Sequence, residues 1–199
     1  MLLLIKGLKI MIFLYPLHNE MIENNYFIRK GKLILDKKQL IAEKTKEILE
    51  FINLKRKPIS ISDELEKILS IYKYIVQNIN SNQDYVEPNT ENKKEAYVNA
   101  LCAGLTNNPG LPTTNSILFK HLLDMMEIEN YLVLSESNYS KQNQVSNLVK
   151  IGSDFYYFDC TLERTILEEQ ADRPEDLFMM CAALGKNEYS RFYTPIKVL

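Results

Sequence analysis

The sequence predicts an α+β domain in which amphipathic helices precede a central buried helix packed on an antiparallel sheet. Three observations predict it. Two early segments carry apolar residues at helical spacing, a later segment is apolar around nearly its whole circumference, and three short β-rich runs follow in succession. Helices first and a meander afterwards is the order of an α+β layer arrangement. With 199 residues, 46% of them hydrophobic, the chain suffices for one compact core and not for a second.

The elements follow in order. Residues 1–35 read as an N-terminal apolar segment with a hairpin, and residues 36–199 as the domain proper. The first seventeen residues are apolar but interrupted by Lys6 and Lys9, and the clean run Ile10 to Leu17 is too short to span a bilayer. Two lysines before that run give it the look of a weak signal sequence, but His18-Asn19-Glu20 offers no small-residue cleavage site. The expected location is therefore cytoplasmic, with secretion or attachment to a membrane through the N-terminus as the alternative. Between Tyr26 and Asp36 two apolar runs flank Lys30-Gly31-Lys32, which predicts a hairpin. From Asp36 the period becomes helical, with Ile41, Thr45, Ile48 and Ile52 on one face.

The next helix has the clearest pattern. Ser62 is placed to cap it, Asp63 and Glu64 favour its N-terminal dipole, and Leu65, Ile68, Leu69, Tyr72, Ile75, Val76 and Ile79 form the stripe. Polar stretches at 82–95 and 104–112 read as loops. Thr113 or Thr114 then opens the central helix, which runs to about Glu127, with only Lys120 and Asp124 as a polar strip. Strands are predicted at 131–134, 144–151 and 155–160, the last two joined by a tight turn at Gly152-Ser153. Pro174 and Gly185 bracket a further helix.

Composition narrows the chemistry. The 24 basic and 26 acidic residues are interspersed, so no basic stripe invites nucleic acid. Cys102, Cys160 and Cys181 form no CxxC pair, and only His18 and His121 are present, so neither a disulfide framework nor a metal or cofactor site is expected. Cys160 and Cys181 read as core residues, and His121 as a helix histidine satisfied by a neighbour.

Three runs together resemble one family. SDELEKILSIYKYIV (62–76) resembles the helix that precedes the active site of bacterial transglutaminase-like proteins. ILFKHLLDMMEIENYLV (117–133) resembles their central helix and following strand, and NLVKIGSDFYYFD (147–159) their catalytic hairpin. The resemblance covers roughly 38–163 and implies a papain-like fold with a Cys-His-Asp triad. In such a triad a cysteine at the head of the central helix is made a thiolate by the helix N-terminus and a neighbouring histidine. Carried over by position, the cysteine falls on Pro112, with Thr113 beside it, the histidine on Gln144, and the aspartate on Asp159. Proline offers no nucleophile, and glutamine takes up no proton near neutral pH.

The resemblance therefore implies a non-catalytic domain that binds a peptide or protein ligand, or serves as a scaffold, at the old cleft. Two alternatives stay open. Cys102, ten residues ahead of the expected position, would serve an active acyl-transfer or peptidase enzyme of the same fold, or the apolar N-terminus would dock on a partner or membrane.

Overall fold

The computed structural model describes residues 2–5, 8–11, 32–54, 60–79, 93–106, 112–137, 143–169 and 193–198. Its architecture is α+β. Strands β1 (Leu2–Ile5) and β2 (Leu8–Met11) pair as an antiparallel ribbon, with Leu2 opposite Met11. Helices α1 (Lys32–Phe51), α2 (Ile61–Asn78), α3 (Lys93–Leu105) and α4 (Pro112–Met125) come next. The chain continues with β3 (Asn130–Ser137), β4 (Asn143–Ile151), β5 (Asp154–Phe158), α5 (Cys160–Glu169) and β6 (Tyr193–Val198). The sheet is antiparallel in the order β5-β4-β3-β6. Among the described residues, no helix is long and apolar enough to cross a membrane.

Helix ends follow elementary capping rules. Ser60, in extended backbone, caps α2 by accepting from the Asp63 amide, and Asp63 and Glu64 occupy the first turn. Ser62, the expected cap, lies inside the helix, because Ser60, two residues earlier, already accepts from the free Asp63 amide. α1 ends with Asn53 at φ 58°, and the Leu54 amide returns to the Leu49 carbonyl. α4 ends the same way, with Glu127 at φ 57° and the Ile128 amide bonded to the Leu123 carbonyl. These are Schellman closures in which Asn and Glu take the left-handed position that glycine usually fills. In the β4–β5 hairpin Gly152 does fill it, at φ 61°.

The structure differs from the sequence expectations at several elements. Leu33, Ile34 and Leu35, read as hairpin strand, lie in the first turns of α1; residues 26–31 are outside the described residues. The run Ile10–Leu17 contributes Ile10 and Met11 to β2, and the rest lies outside the described residues. α3 occupies a stretch given no helix, and β6 was not expected. Strand β5 stops at Phe158, so Cys160 begins α5 instead of ending a strand. Thr113 and Thr114 do not cap α4 but lie within it, because Pro112, with φ pre-set and no amide hydrogen to lose, takes the first helical position. The helix expected at 174–184, with Cys181, lies outside the described residues.

α4 is the centre. Leu118, Phe119, Leu122 and Leu123 have no exposed surface, whereas Met125, expected in the core, is 46% exposed. On one side Phe119 meets Tyr72 and Phe158, with the three ring centroids 5.2–5.5 Å apart. On another, His121 hydrogen-bonds Thr45 of α1 at 2.6 Å, so it is a satisfied core histidine. Facing the sheet, the Ser116 hydroxyl donates to the Val145 carbonyl at 2.6 Å, and the Asn147 amide donates to the Ser116 carbonyl at 2.9 Å. These two bonds pin the start of α4 to β4.

α3 approaches α4 closely at Gly104, where a Cβ would stand 3.2 Å from Thr114 Cγ2 and 3.3 Å from Leu118 Cβ and Cδ2. Gly104→Val is therefore expected to lower stability by about 1–3 kcal/mol through overpacking. Urea melts check this, and a change under about 0.5 kcal/mol would mean that the two helices separate freely.

Candidate functional site

The site is built where β4, β5 and α5 meet beside the start of α4. The β4–β5 ladder pairs Asn147 with Phe158. Continued by one residue it sets Ser146 opposite Asp159, which leaves Gln144 on the diagonal and on the same face. The two side chains meet: Gln144 Nε2 donates to Asp159 Oδ1 at 3.3 Å. Val145, which anchors Ser116 of α4, is the next residue, so the amide–carboxylate pair lies at the level of the first turns of that helix.

Asp159 also starts a helix. Its Oδ1 accepts from the Thr161 amide at 3.1 Å and the Leu162 amide at 2.9 Å, and its carbonyl accepts from the Glu163 amide at 3.0 Å. It is thus the N-cap of α5. Burial pushes its carboxyl up to about 6, against the opposing pull of the bonds from Leu162, Gln144 and Thr161. Three donors do not outweigh the loss of water around a carboxylate that is only 6% exposed.

Reading the sequence missed the neighbour, Glu163, which is 1% exposed. Burial and the nearby Asp159 push its carboxyl up to about 7, while the hydrogen bond from Tyr72 pulls the other way. The signal was present: Asp and Glu four apart just after a strand occupy the first turn of a helix, where both side chains face one way. Read as the end of a strand, the segment hid it. Asn115 was also missed. It is fully buried, and its amide has no hydrogen-bond partner among the described residues. One turn before Phe119, it shares the face of α4 that carries the aromatic cluster.

The remaining expected residues are placed as follows. Pro112 is the first residue of α4, and Thr113 follows, half-buried. Cys102 lies in the last turn of α3, half-buried, and burial pushes its thiol up against a smaller opposing effect of Lys37. Lys37 itself bonds Asn99 of α3 at 2.7 Å, so this side of α3 faces α1. Cys102 makes no hydrogen bond to Gln144 or Asp159. The structure thus brings Gln144 and Asp159 together and does not join Cys102 to them. Cys160 is buried at the start of α5. Among the described residues, no group of three or more His, Cys, Asp or Glu is placed to hold a metal ion.

Comparison with known proteins adds little. No family model and no curated protein matches the sequence. A solved structure, a candidate cysteine protease from Cytophaga hutchinsonii, is similar over 70% of this chain at 15% identity, with a TM-score of 0.45. This chain spans 46% of that one, so it corresponds to less than half of its length. At that level the likeness carries no argument about the site.

Proposed function

We propose that this chain is a transglutaminase-like, papain-like domain whose cleft binds an extended peptide or protein segment without catalysing acyl transfer. The observation that carries the reading is the Gln144–Asp159 hydrogen bond beside a helix that begins with proline. A triad needs a nucleophile, a base and a group that orients the base. Here the orienting carboxylate holds an amide that cannot take up a proton, and the helix head carries no thiol or hydroxyl at Pro112. The bond to Asp159 uses one amide hydrogen of Gln144. Its second hydrogen and its carbonyl make no bond among the described residues and suit a peptide backbone, which offers the matching acceptor and donor.

The enzyme alternative has weaker support. Cys102 sits at the C-terminal end of α3, where the helix dipole disfavours a thiolate, and burial acts in the same direction.

Two measurements test the reading. The purified protein should show no transglutaminase, deamidase or peptidase turnover, while peptides selected from a random displayed library should lose about tenfold in affinity for Gln144→Ala, or about 1.4 kcal/mol. The double variant Pro112→Cys with Gln144→His should carry a new thiol whose alkylation rate reports a pKa well below the ordinary value of about 8.5. A folded double variant whose new thiol titrates near 8.5 would show that these positions do not form a cleft. Turnover by the unmodified protein that vanishes in Cys102→Ser would establish the enzyme instead.

A further inference from the structure

Glu163 completes a chain of polar contacts behind the Gln144–Asp159 pair. Tyr72 of α2 places its hydroxyl 3.0 Å from Glu163 Oε2 and 3.1 Å from the Asp159 carbonyl oxygen. A phenol has one hydrogen to donate. Spent on an ionised Glu163, that hydrogen leaves the contact with the Asp159 carbonyl unbridged; spent on the carbonyl, it leaves the phenol oxygen facing a carboxylate through lone pairs alone. A proton on Glu163 resolves the contact, because Oε2–H then donates to the Tyr72 oxygen and Tyr72 donates onward to the Asp159 carbonyl. The surroundings favour the same state. Glu163 is buried at the first turn of α5, four residues from a second buried carboxyl, and no described cation faces it.

The charged and titratable groups near it are few. On α5, Arg164 directs its guanidinium to the Ile79 and Val76 carbonyls at the end of α2, and Cys160 and Asp159 complete the turn. From α2 the facing group is Tyr72; Lys67 pairs with Asp63 and Lys73 is exposed. On α4, which also packs on α5, Lys120 pairs with Asp124 at 3.0 Å and His121 bonds Thr45. On β4, Lys150 pairs with Glu129 at 2.7 Å, and Gln144 is uncharged.

We propose that Glu163 is a proton-holding positioning residue, whose neutral form feeds a hydrogen-bond relay through Tyr72 to the Asp159 backbone and leaves Asp159 ionised to hold Gln144. The location of the proton is independent of what the cleft binds, whereas its use in setting Gln144 rests on the peptide-binding reading above.

The test needs no ligand, so its failure is separable from a failure of that reading. The ¹³C carboxyl shift of Glu163 and the side-chain amide signal of Gln144 are followed from pH 4 to 8.5 in the wild-type protein. The Glu163 carboxyl should titrate at about 7, well above its ordinary value of 4.5. The Gln144 amide should respond in two steps, the upper one coinciding with Glu163. In Glu163→Gln, which fixes the neutral state, the upper step should vanish and the lower one remain. A Glu163 carboxyl that titrates near its ordinary value overturns the proposal in the wild-type protein alone, whether or not the variant folds. So does a variant in which both steps persist.

Discussion

Phe119→Ala is expected to destabilise the fold by about 3–5 kcal/mol, the range for truncating a buried aromatic. The side chain has no exposed surface, and its ring packs on Tyr72 of α2 and Phe158 of β5, each at a centroid distance of 5.5 Å. Those partners come from a helix and a strand that are far apart in sequence, so the cavity would open where three elements join. It would also lie one residue from Asp159, and Tyr72 would lose the packing that aims its hydroxyl. The loss should therefore reach the site as well as the core. Urea melts of the variant give the magnitude, and a loss below about 1 kcal/mol would mean that the ring cluster is not the keystone of the domain.

Stability should fall as pH rises from about 4 to 7.5, which is unusual for a chain rich in carboxylates. Asp159 and Glu163 titrate at about 6 and about 7 in the folded protein, against ordinary values of 3.8 and 4.5. Between those limits the folded state holds more protons than the unfolded one, so raising the pH favours unfolding. Their favourable contribution is complete below about pH 4 and is lost through pH 6–7. At about 1.4 kcal/mol per unit, and allowing for the coupling of the two groups, the change is roughly 2–4 kcal/mol. Glu129, which burial pushes up but the bonds from Lys150 and Tyr131 hold low on balance, works in the opposite sense, but it is exposed and its contribution is small. Denaturant melts at half-unit steps check the slope, and stability that rises with pH across this window would contradict it. Glu163→Gln should flatten the upper half of the curve.

The elements with strong periodicity were legible in the sequence, and those without it were not. α2 shows its stripe because Ile68, Tyr72, Ile75 and Val76 recur every three or four residues, while Leu65, on the same predicted stripe, is 39% exposed near the start of the helix. α4 was visible as the centre because apolar residues leave it only a narrow polar strip. α3 was not visible: Ala96, Tyr97, Val98, Ala100, Leu101 and Ala103 surround it without a polar face, and the polar run before it read as a loop. β6 was hidden by Pro195, which argues against a strand interior. The structure accommodates it by making β6 an edge strand, with a register shift opposite Leu134 and Ser135. At the site, strand alternation and a tight hairpin sufficed to juxtapose Gln144 and Asp159. Glu163 escaped notice because no helix was expected directly after the strand run 155–160, where α5 begins at Cys160.

Asp159 follows a strand, starts a helix and accepts the only described bond of the Gln144 side chain. Selection for a folded chain alone would keep an acceptor at this position, since losing a helix cap typically costs about 0.5–2 kcal/mol of a stability that is itself only about 5–15. An aspartate found here in a related sequence would therefore say little about whether that relative is an enzyme. Under the triad correspondence proposed above, the informative positions for such a survey are 112 and 144, where nothing in the scaffold demands a cysteine or a histidine. Their joint appearance in a relative would be a record of chemistry, and their independent drift a record of its absence.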